Sequence, residues 1–565
     1  MILICRVLLL FLLLQVPLPV PGQENLKNEY WHTQAVFYNL EIAVFYDSDG
    51  DGIGDFQGLI QKLDYLETLG IDAIWLSPFQ PSPGRDDGYD ITDFYGINSE
   101  YGSPGDFADF IHQAQMRGLK VVMDLPLNHT SIEHPWFQKA RSDQESPYRD
   151  WYIWSSTLPE NWDKGMVFPG VENSTWSFDE EAREYYFHRF YSFQPDLKYA
   201  NPEVRLEARK IIGYWLNQNI DGFRLDAVPF ILEQHLNGHE ESTEDFDILY
   251  NMRKYLQWRK GNAILLGEAN VLPVENQKYF GEKSDGLHMM FNFYLNQHLF
   301  LALASEEFQV LSNALQATRE IPPSAQWANF LRNHDELDLG RLSEQQRQLV
   351  FNKFGPDKNM QLYDRGIRRR LAPMLDNRNH LELAYSLMFS MPGSPVIRYG
   401  DEIGMGDDLS LEERIAVRTP MQWSNEKNAG FTSAEEPFRP IIEEGPFSFH
   451  QVNVSDQLRD ENSFLNWTIQ MINLRKKCGE IGLGDWEILD TGSDHVLAMK
   501  YSFNEKTTIT IHNFAPETQE VSLKMEETEK LLDLITDKIT VIPEDGNLRI
   551  SVKPYGYHWL RTHHP

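Results

Sequence analysis

The stretch F-Q-G-L-I-Q-K-L-D-Y-L-E-T-L-G-I-D-A-I-W-L-S-P (56–78) joins a helical pattern directly to a short strand pattern. Apolar residues recur at helical spacing as far as Gly70. The segment A-I-W-L-S-P (73–78) is then a short apolar run, the length of one buried strand. A helix followed at once by a strand is the repeating unit of proteins built on a parallel sheet.

Seven further strand-like segments continue this alternation along the chain. Eight strands separated by helical segments predict an α/β fold, specifically a closed (β/α)8 TIM barrel with its active site at the C-terminal ends of the strands. The seven segments are A-V-F-Y-N-L (35–40), L-K-V-V-M-D-L (119–125), G-F-R-L-D (222–226), I-L-L-G-E (264–268), M-M-F-N-F (289–293), A-N-F-L-R-N (328–333) and P-V-I-R-Y-G (395–400).

Parts of the chain interrupt or follow the barrel pattern. Residues 129–196, after the third strand, are aromatic and polar, and a structureless loop of that length is uncommon, so they predict a small inserted domain over the active site. The helical pattern of residues 461–477 closes the barrel, which we assign to residues 24–478. Alternating segments in residues 479–565 predict a C-terminal antiparallel β-domain, a β-sandwich.

The N-terminal 23 residues are typical of a secretory signal peptide. Arg6 is their only charge, and the apolar run that follows is too short for a comfortable membrane span. A cleaved leader predicts a secreted or lumenal protein with no membrane span, and a retained anchor is the alternative. Cleavage would remove Cys5 and leave Cys478 alone, so that no internal disulfide can form.

Charge and acceptor motifs limit the partners and modifications to be expected. The formal net charge of −33 argues against a nucleic-acid partner, because phosphates would be repelled. Asn173, Asn453 and Asn466 lie in N-linked glycosylation motifs, which would be used only in a secreted glycoprotein. The oligomeric state stays open.

Three carboxylates at the ends of predicted strands suggest a sugar-cleaving site. They are Asp226 in G-F-R-L-D-A, Glu268 in L-L-G-E-A-N and Asp335 in L-R-N-H-D-E. Glycoside chemistry needs a carboxylate nucleophile and a carboxylic acid that protonates the leaving oxygen, and a third carboxylate can stabilise the positive charge on the sugar ring. Arg224, on the same strand face as Asp226, would keep a nucleophile ionised, whereas the apolar approach to Glu268 suits a general acid. An Arg–Asp pair alone could be structural, but the three segments together favour catalysis.

Neighbouring segments offer groups that could bind a sugar. His334 and His129 can hydrogen-bond hydroxyls, Asp86 can hold two hydroxyls of one sugar, and Tyr89 can stack on its face. Each has a simpler alternative, since R-D-D-G-Y-D (85–90) could be a plain polar turn and a lone histidine is often structural. Glu336 is interpreted as a solvated neighbour of Asp335.

The loop D-S-D-G-D-G-I-G-D (47–55) has the oxygen-rich spacing of a calcium loop. Gly52 allows the sharp turn, but Gly58 stands where an EF-hand has its bidentate Glu, so the match is partial. We predict a structural Ca²⁺ here, with a solvated acidic turn as the alternative, and no organic cofactor. The predicted ligands are Asp47, Asp49, Asp51, the carbonyl of Ile53, and Asp55.

Longer segments resemble glycoside hydrolase family 13, the α-amylase superfamily, and within it the trehalose synthases. The resemblance spans roughly residues 31–475 and is weak beyond them. The segments are R-D-D-G-Y-D-I, H-P-W-F-Q-K-A-R, F-Q-P-D-L, R-L-D-A-V-P-F, F-L-R-N-H-D-E-L, G-I-R-R-R-L-A-P, Y-G-D-E-I-G-M-G and V-R-T-P-M-Q-W.

This resemblance implies roles for individual residues. It implies Asp226 as the nucleophile, Glu268 as the acid/base and Asp335 as the transition-state stabiliser. The residues that it implies around the reacting glucose are Asp86, His129, Gln194, Arg224 and His334, and we add Tyr89 and Arg418 as candidate sugar-binding residues. It also implies a calcium ion under the inserted domain, which would make Asn128 a poor glycan acceptor. The implied ligands are Asn128, Asp196 and Glu233, with the carbonyls of Phe230 and Ile231.

The resemblance further implies a retaining enzyme that interconverts maltose and trehalose, small α-glucosides, through a covalent glucosyl-enzyme. If water is the acceptor, the same site makes an α-glucosidase; a third alternative is an inactive sugar-binding relative, although all three carboxylates are present. Lys198 and Arg398 depart from the family pattern and leave the acceptor open. The run R-R-R (368–370) is interpreted as a solvated or ion-paired helix face.

Overall fold

The structure is a computed structural model that describes residues 30–234, 243–375, 377–525, 530–543 and 546–562. The predicted leader, with Cys5, lies outside the described residues. Within the described ranges no helix is both long and apolar enough to cross a membrane.

Eight parallel strands form a closed barrel in this part of the chain, which confirms the predicted fold class. Each strand pairs with the barrel strands before and after it, and β8 closes onto β1, with Phe37 opposite both Val396 and Ala73. The strands are β1 (Phe37–Leu40), β2 (Ala73–Leu76), β3 (Lys120–Leu125), β4 (Gly222–Leu225), β5 (Ile264–Gly267), β6 (Met289–Phe291), β7 (Gln326–Phe330) and β8 (Ser394–Arg398).

The barrel strands begin or end one to three residues from their predicted bounds, and two differences from the sequence prediction have a visible cause. The seventh strand ends at Phe330 instead of residue 333, because Arg332 donates to the carbonyls of Arg369 and Asp335 in the loops above the barrel (2.8 and 2.7 Å). The single helix predicted over residues 56–70 is broken at Lys62, whose φ of −102° and ψ of 1° are not helical. Its second part ends at Leu69 and is followed by Gly70 in the left-handed conformation that is common after a helix.

The helices surround the barrel and fill the connections between its strands. They are α1 (Phe56–Gln61), α2 (Leu63–Leu69), α3 (Pro104–Met116), α4 (Pro135–Ser142), α5 (Pro202–Asn217), α6 (Val228–Leu232), α7 (Asp247–Arg259), α8 (Asn276–Phe280), α9 (Phe293–Ser305), α10 (Gln309–Ala317), α11 (Glu344–Phe354), α12 (Leu371–Met374), α13 (Arg378–Ser390), α14 (Val454–Arg459), α15 (Phe464–Lys477) and α16 (Glu480–Leu483).

The barrel wall is apolar on both faces, which explains its continuous apolar strands. In β5, Ile264 and Leu266 belong to a cluster inside the barrel with Phe37, whereas Leu265 packs into the larger cluster with the helices, including Leu256. Burial on both faces is usual for parallel strands covered by helices. The rigid wall therefore presents its strand ends, and the polar residues just beyond them, at one rim.

The segment after β3 forms a small antiparallel sheet at that rim. Its strands are Trp154–Ser155, Trp176–Asp179 and Glu184–Phe187. Short strands at Leu337–Asp338, Gln361–Leu362 and Gly366–Ile367 form a second sheet beside it, and Glu233–Gln234 pairs with Thr243–Glu244. The predicted insertion after the third strand is confirmed, while the domain boundaries that we assigned stay predictions.

The C-terminal region is antiparallel, as predicted. A six-stranded sheet in the order β9-β10-β11-β16-β13-β14 and the pair β12-β15 share a buried core that includes Val496, Ile511, Val521 and Leu548. The strands are β9 (Asp485–Leu489), β10 (Val496–Phe503), β11 (Lys506–Asn513), β12 (Gln519–Lys524), β13 (Lys530–Asp533), β14 (Lys538–Val541), β15 (Asn547–Val552) and β16 (Tyr557–Thr562).

Candidate active site

The three predicted catalytic carboxylates line one cavity at the C-terminal rim of the barrel. Asp226 and Glu268 directly follow β4 and β5, and Asp335 lies five residues beyond β7. The cavity has a volume of about 460 Å³, which lies in the range of small-molecule sites. Asp86 and Tyr89, which the sequence also singled out, line the same cavity.

Arg224 connects two of these carboxylates. Its guanidinium is buried, contacts Asp226 directly, and lies 2.7 Å (Nη2) from Oε2 of Glu268. A third partner is Oδ1 of Asp124, 2.9 Å from Nη1. Sequence reasoning missed Asp124, although its place in V-M-D-L, on an apolar strand, is unusual for a carboxylate. One cation thus serves three carboxylates, of which Asp124 and Asp226 are buried and Glu268 is half-buried, and they cannot all be ionised without cost.

Glu268 and Asp226 take up different protonation states. Burial, with a smaller contribution from the charge of Asp226, raises the pKa of Glu268 to about 8 although Arg224 opposes this. Burial also raises the pKa of Asp226, to about 6, while Arg224 and a hydrogen bond with Glu268 act against it. At neutral pH the pair therefore holds one proton, on Glu268, and leaves Asp226 ionised, which are the states of an acid and a nucleophile.

Asp335 is held ionised by three donors. His334 Nε2 lies 3.1 Å from Oδ2, and Arg414 Nη1 and Arg418 Nη2 donate to Oδ1 at 2.7 and 3.0 Å. Burial alone would raise the pKa of Asp335, but these contacts outweigh it and keep the pKa well below its ordinary value. Burial lowers the pKa of His334 itself to about 4, so a neutral imidazole and two permanent cations surround the carboxylate. A fixed negative charge therefore faces the cavity.

The predicted sugar-binding residues fall into two layers. Asp86, Tyr89, His129 and His334 line the cavity. The Tyr89 ring stacks on His334 at 5.5 Å between centroids, so one of its faces is already covered. The second layer lies behind the carboxylates: Gln194 donates to Asp86 at 3.0 Å, Arg224 holds Asp226, and Arg418 holds Asp335.

Arg414 and Glu336 were not recognised as site residues in the sequence. Arg414 lines the cavity and bridges two carboxylates, since Nη1 donates to Asp335 and Nη2 donates to Asp86 at 2.8 Å. A second arginine four residues before Arg418 was the available signal. The interpretation of Glu336 as a solvated neighbour was wrong: it is 9% exposed and lines the cavity, and burial raises its pKa to about 7.

An aromatic cluster lies beside the cavity and contributes Phe168 to its lining. Phe168 and Tyr191, from the insertion, pack against Tyr363, from the loop after β7. The hydroxyls of Tyr191 and Tyr363 both donate to Oε2 of Glu413, at 2.7 and 2.9 Å, and the Arg414 guanidinium lies over the Phe168 ring. The insertion and two barrel loops thus meet above the carboxylates.

The loop after β1 brings together three of the four predicted carboxylate ligands. Oxygen atoms of Asp47, Asp49 and Asp55 all lie within 4.8 Å of one another. Asp51 instead accepts a hydrogen bond from the amide of Ile53 (2.8 Å) and is exposed. The clustered hard oxygens suit Ca²⁺, so these residues fit the metal, and its binding stays a prediction.

The second predicted calcium site is less well defined. Asn128 and Asp196 are buried on adjoining segments, with the amide of Leu197 donating to the carbonyl of Asn128 at 2.8 Å. Arg189 donates its amide to Asp196 and its guanidinium contacts Glu233, so a protein cation already faces this group. Phe230 and Ile231 lie in α6. This ligand set also stays a prediction.

The two positions that depart from the family pattern lie outside the cavity. Lys198 contacts Asp150 of the insertion, at 2.5 Å. Arg398, at the end of β8, donates to Glu41 at 3.0 Å, and Glu41 in turn faces Arg418 and Arg439. Neither position is a lining residue of the cavity.

The amino-acid sequence is similar to proteins of known activity over most of its length. Residues 42–354 and 365–482 match the family profile described as alpha amylase, catalytic domain. The chain is 38% identical over 552 residues to the trehalose synthase/amylase TreS of Mycolicibacterium smegmatis, covering 95% of this chain and 93% of that protein. It is 41% identical over 535 residues to a trehalose synthase of Thermus thermophilus, covering 93% of this chain and 55% of that longer protein. The solved structure of an α-amylase from H. orenii superposes with a TM-score of 0.76 at 28% identity, covering 94% of this chain and 100% of that one.

Proposed function

The chain belongs to the alpha-amylase family, glycoside hydrolase family 13, as a glycosidase or transglucosylase, and on that premise we propose that it interconverts maltose and trehalose through a covalent glucosyl-enzyme. The observation that carries the proposal is the Asp226–Glu268 pair. Its two carboxyl groups share one proton and one guanidinium at the wall of a cavity of sugar size. A carboxylate paired with a carboxylic acid is the arrangement of retaining enzymes, in which one group attacks the sugar and the other supplies the proton.

In the first step Asp226 attacks the anomeric carbon of the non-reducing glucose of maltose. The bond from that carbon to the O4 oxygen of the second glucose breaks, and Glu268 gives its proton to that oxygen. Free glucose and a β-glucosyl ester of Asp226 result. The ionised Asp335, which is 19% exposed on its side chain, faces the positive charge that develops on the ring.

In the second step the released glucose turns within the cavity and presents its anomeric hydroxyl. Glu268, now ionised, takes the proton of that hydroxyl as the oxygen attacks the glucosyl ester. The ester bond breaks, Asp226 leaves as a carboxylate, and trehalose forms. The Phe168 ring, which lines the cavity and packs with Tyr191 and Tyr363, favours this outcome, because an apolar wall limits the access of water to the ester.

Hydrolysis is the second candidate function, with water replacing glucose in the second step. The name of the M. smegmatis relative combines both activities, trehalose synthase and amylase. The same residues serve both reactions, so the two differ only in the acceptor that reaches the ester first. An inactive sugar-binding protein is a third possibility from the sequence, and the intact acid and nucleophile argue against it.

Incubation of purified protein with maltose, followed by chromatography of the products, tests the proposal. Trehalose is the expected product, and glucose as the sole product would instead identify an α-glucosidase. Absence of turnover on both maltose and trehalose would overturn both. Added ¹³C-glucose sharpens the test: trehalose that stays unlabelled indicates that the released glucose never leaves the cavity.

We also propose a structural Ca²⁺ in the loop 47–55 and passage of the chain through the secretory pathway. In that pathway Asn173 is the acceptor that we expect to carry a glycan, because it is exposed. Asn128 and Asn453 are buried, and the side-chain amide of Asn466 donates to three backbone carbonyls. Mass spectrometry of protein secreted from a eukaryotic host would detect the modified peptide, and occupancy at Asn453 instead would contradict this expectation.

A further inference from the structure

The run R-R-R (368–370) ties together two loops of the barrel rim. It precedes α12 and does not form a helix face, so that part of the sequence interpretation was wrong, whereas ion pairing is present. Arg370 donates to the carbonyl of Tyr399 and to Asp401 at 2.8 and 3.0 Å. Arg369 donates to both oxygens of Asp407, at 3.1 and 2.9 Å. Successive arginines of the run therefore contact successive parts of the chain after β8, with Arg370 nearest to the strand.

Arg368 is the outermost member of the run and binds only the main chain. Among the described residues no carboxylate lies within 4.0 Å of its guanidinium in an ion pair, and the residue is 8% exposed. A planar guanidinium with five donors can satisfy several carbonyls at once, which an ammonium group cannot. Its acceptors are the carbonyls of Asn359 (2.5 Å), Leu409 (3.1 Å), Leu411 (2.6 Å) and Glu413 (3.2 Å).

Three of these carbonyls, those of Leu409, Leu411 and Glu413, belong to the segment that delivers Arg414 to the cavity. Glu413, directly before Arg414, has a φ of 41°, a left-handed conformation that is unfavourable for a non-glycine residue. Such a conformation persists only where surrounding contacts determine it. Here the contacts are the Arg368 guanidinium on the Glu413 carbonyl and the Tyr191 and Tyr363 hydroxyls on its carboxylate.

We propose that Arg368 is a positioning residue, which fixes the segment 409–414 so that Arg414 bridges Asp335 and Asp86 during glucosyl transfer. The inference rests on the proposed function. Through its bonds to the backbone of residues 409–413, the buried Arg368 guanidinium determines where Arg414 lies relative to Asp335 and Asp86, the two carboxylates that face the sugar ring. A merely structural arginine would affect the stability of the fold without changing the charge balance of those carboxylates.

The protonation of Asp335 and Asp86 distinguishes a positioning role of Arg368 from a merely structural one. Asp335 faces His334, Arg414 and Arg418, and Asp86 faces Arg414, Arg418, Gln194 and Asp87. Burial is the main cause that raises the pKa of Asp86 to about 6, and Arg414 is the first group that opposes it. If Arg414 moves away, the pKa values of both carboxyl groups rise. The acid limb of kcat/KM then shifts to higher pH.

The experiment compares Arg368→Met with Arg369→Met in the full-length protein. Both remove a guanidinium from the same run, but Arg369 anchors Asp407, seven residues before Arg414. For Arg368→Met we expect a fall in kcat/KM of roughly 10²-fold, as for displacement of a catalytic group by about 1 Å, together with an upward shift of the acid limb. We also expect a larger glucose fraction among the products. For Arg369→Met we expect a smaller loss and an unshifted acid limb.

Arg368→Lys covers the case in which Arg368→Met does not fold. Lysine keeps the charge but lacks the planar set of five N–H donors, so we expect a reduced kcat/KM with the same shift of the acid limb. Equal pH profiles for the wild type and both Arg368 variants would overturn the proposal. If the wild type turns over neither maltose nor trehalose, the proposed function fails, and hydrogen exchange decides the positioning. Faster exchange in residues 409–414 of the Arg368 variants, but not of Arg369→Met, would support it, and unchanged exchange would overturn it.

Discussion

Two groups of acidic residues, the rim carboxylates and the loop 47–55, differ in what balances their charge. At the rim, arginines hold the carboxylates: Arg224 contacts Asp226 and Glu268, and Arg414 contacts Asp335. In the loop, Asp47 accepts from the backbone amides of Asp49, Gly50 and Gly52, and Asp55 accepts from Ser48. Among the described residues no lysine or arginine forms an ion pair with the three clustered loop carboxylates.

The difference shows that the function of a carboxylate cluster depends more on the groups that contact it than on the residues that compose it. Permanent guanidinium charges at the rim set different pKa values for neighbouring carboxyl groups, which acid/base chemistry requires. Backbone amides in the loop hold the carboxylates in place but supply no full charge, which leaves the group able to take up a cation. We therefore expect rim substitutions to affect the reaction and loop substitutions to affect stability.

Removal of the nucleophile is the largest expected effect. Asp226→Asn keeps the size and abolishes the charge, so kcat should fall by roughly 10³-fold or more, because the covalent step is lost. Product formation from maltose over long incubations measures it. Asp49→Asn is the matched change in the loop, and with Ca²⁺ present we expect it to leave kcat within about twofold of the wild type, since it touches no cavity residue. Retained turnover in Asp226→Asn would contradict the assigned mechanism.

Removal of a rim counter-charge is expected to have the next largest effect. Arg414→Met leaves Asp335 and Asp86 with one guanidinium less, and the loss of charge-assisted hydrogen bonds of about 1.5–3 kcal/mol corresponds to roughly 10–150-fold in kcat/KM. Initial rates on maltose across a pH series test this. If the Arg414→Met protein kept the wild-type kcat/KM, the rim carboxylates would not need this arginine for the reaction, which would contradict the difference that we draw between rim and loop.

The pH dependence of the wild type should follow the rim pair. Activity needs Asp226 and the sugar-binding Asp86 ionised, so it should be lost as pH falls through about 6, where both carboxylates gain protons. It also needs Glu268 protonated, so it should be lost as pH rises through about 8. The expected kcat/KM profile is a bell between these values, with a loss of at least tenfold per pH unit outside them. A profile with its maximum below pH 5 would show that the two groups are not buried together during catalysis.

The elements set by local pattern could be predicted from the sequence, whereas contacts between distant loops could not. The barrel strands were recognisable because burial on both faces requires continuous apolar runs, and the three carboxylates because each follows such a run. Arg414 and Glu336 escaped notice because their burial depends on how the loops after β7 and β8 fold against the insertion. Asp124 also escaped notice, because its role depends on a contact with Arg224, which lies 100 residues away in the sequence.

Removal of calcium is the smallest effect and tests the loop side of the comparison. If Asp47, Asp49 and Asp55 hold Ca²⁺ in the folded state alone, saturating metal stabilises the protein by about 2.7 kcal/mol at 100 times the Kd. For a chain of this size that corresponds to a rise in Tm of about 2–4 °C, which EGTA should reverse. Asp47→Asn should lower Tm and abolish its response to EGTA, while Asp51→Asn, outside the cluster, should retain the response. An EGTA-insensitive wild type that shows no heat of Ca²⁺ binding would identify the loop as a solvated acidic turn. The amides around Asp47 would then be sufficient to hold a carboxylate cluster without any cation, and the absence of arginine would no longer indicate a metal site.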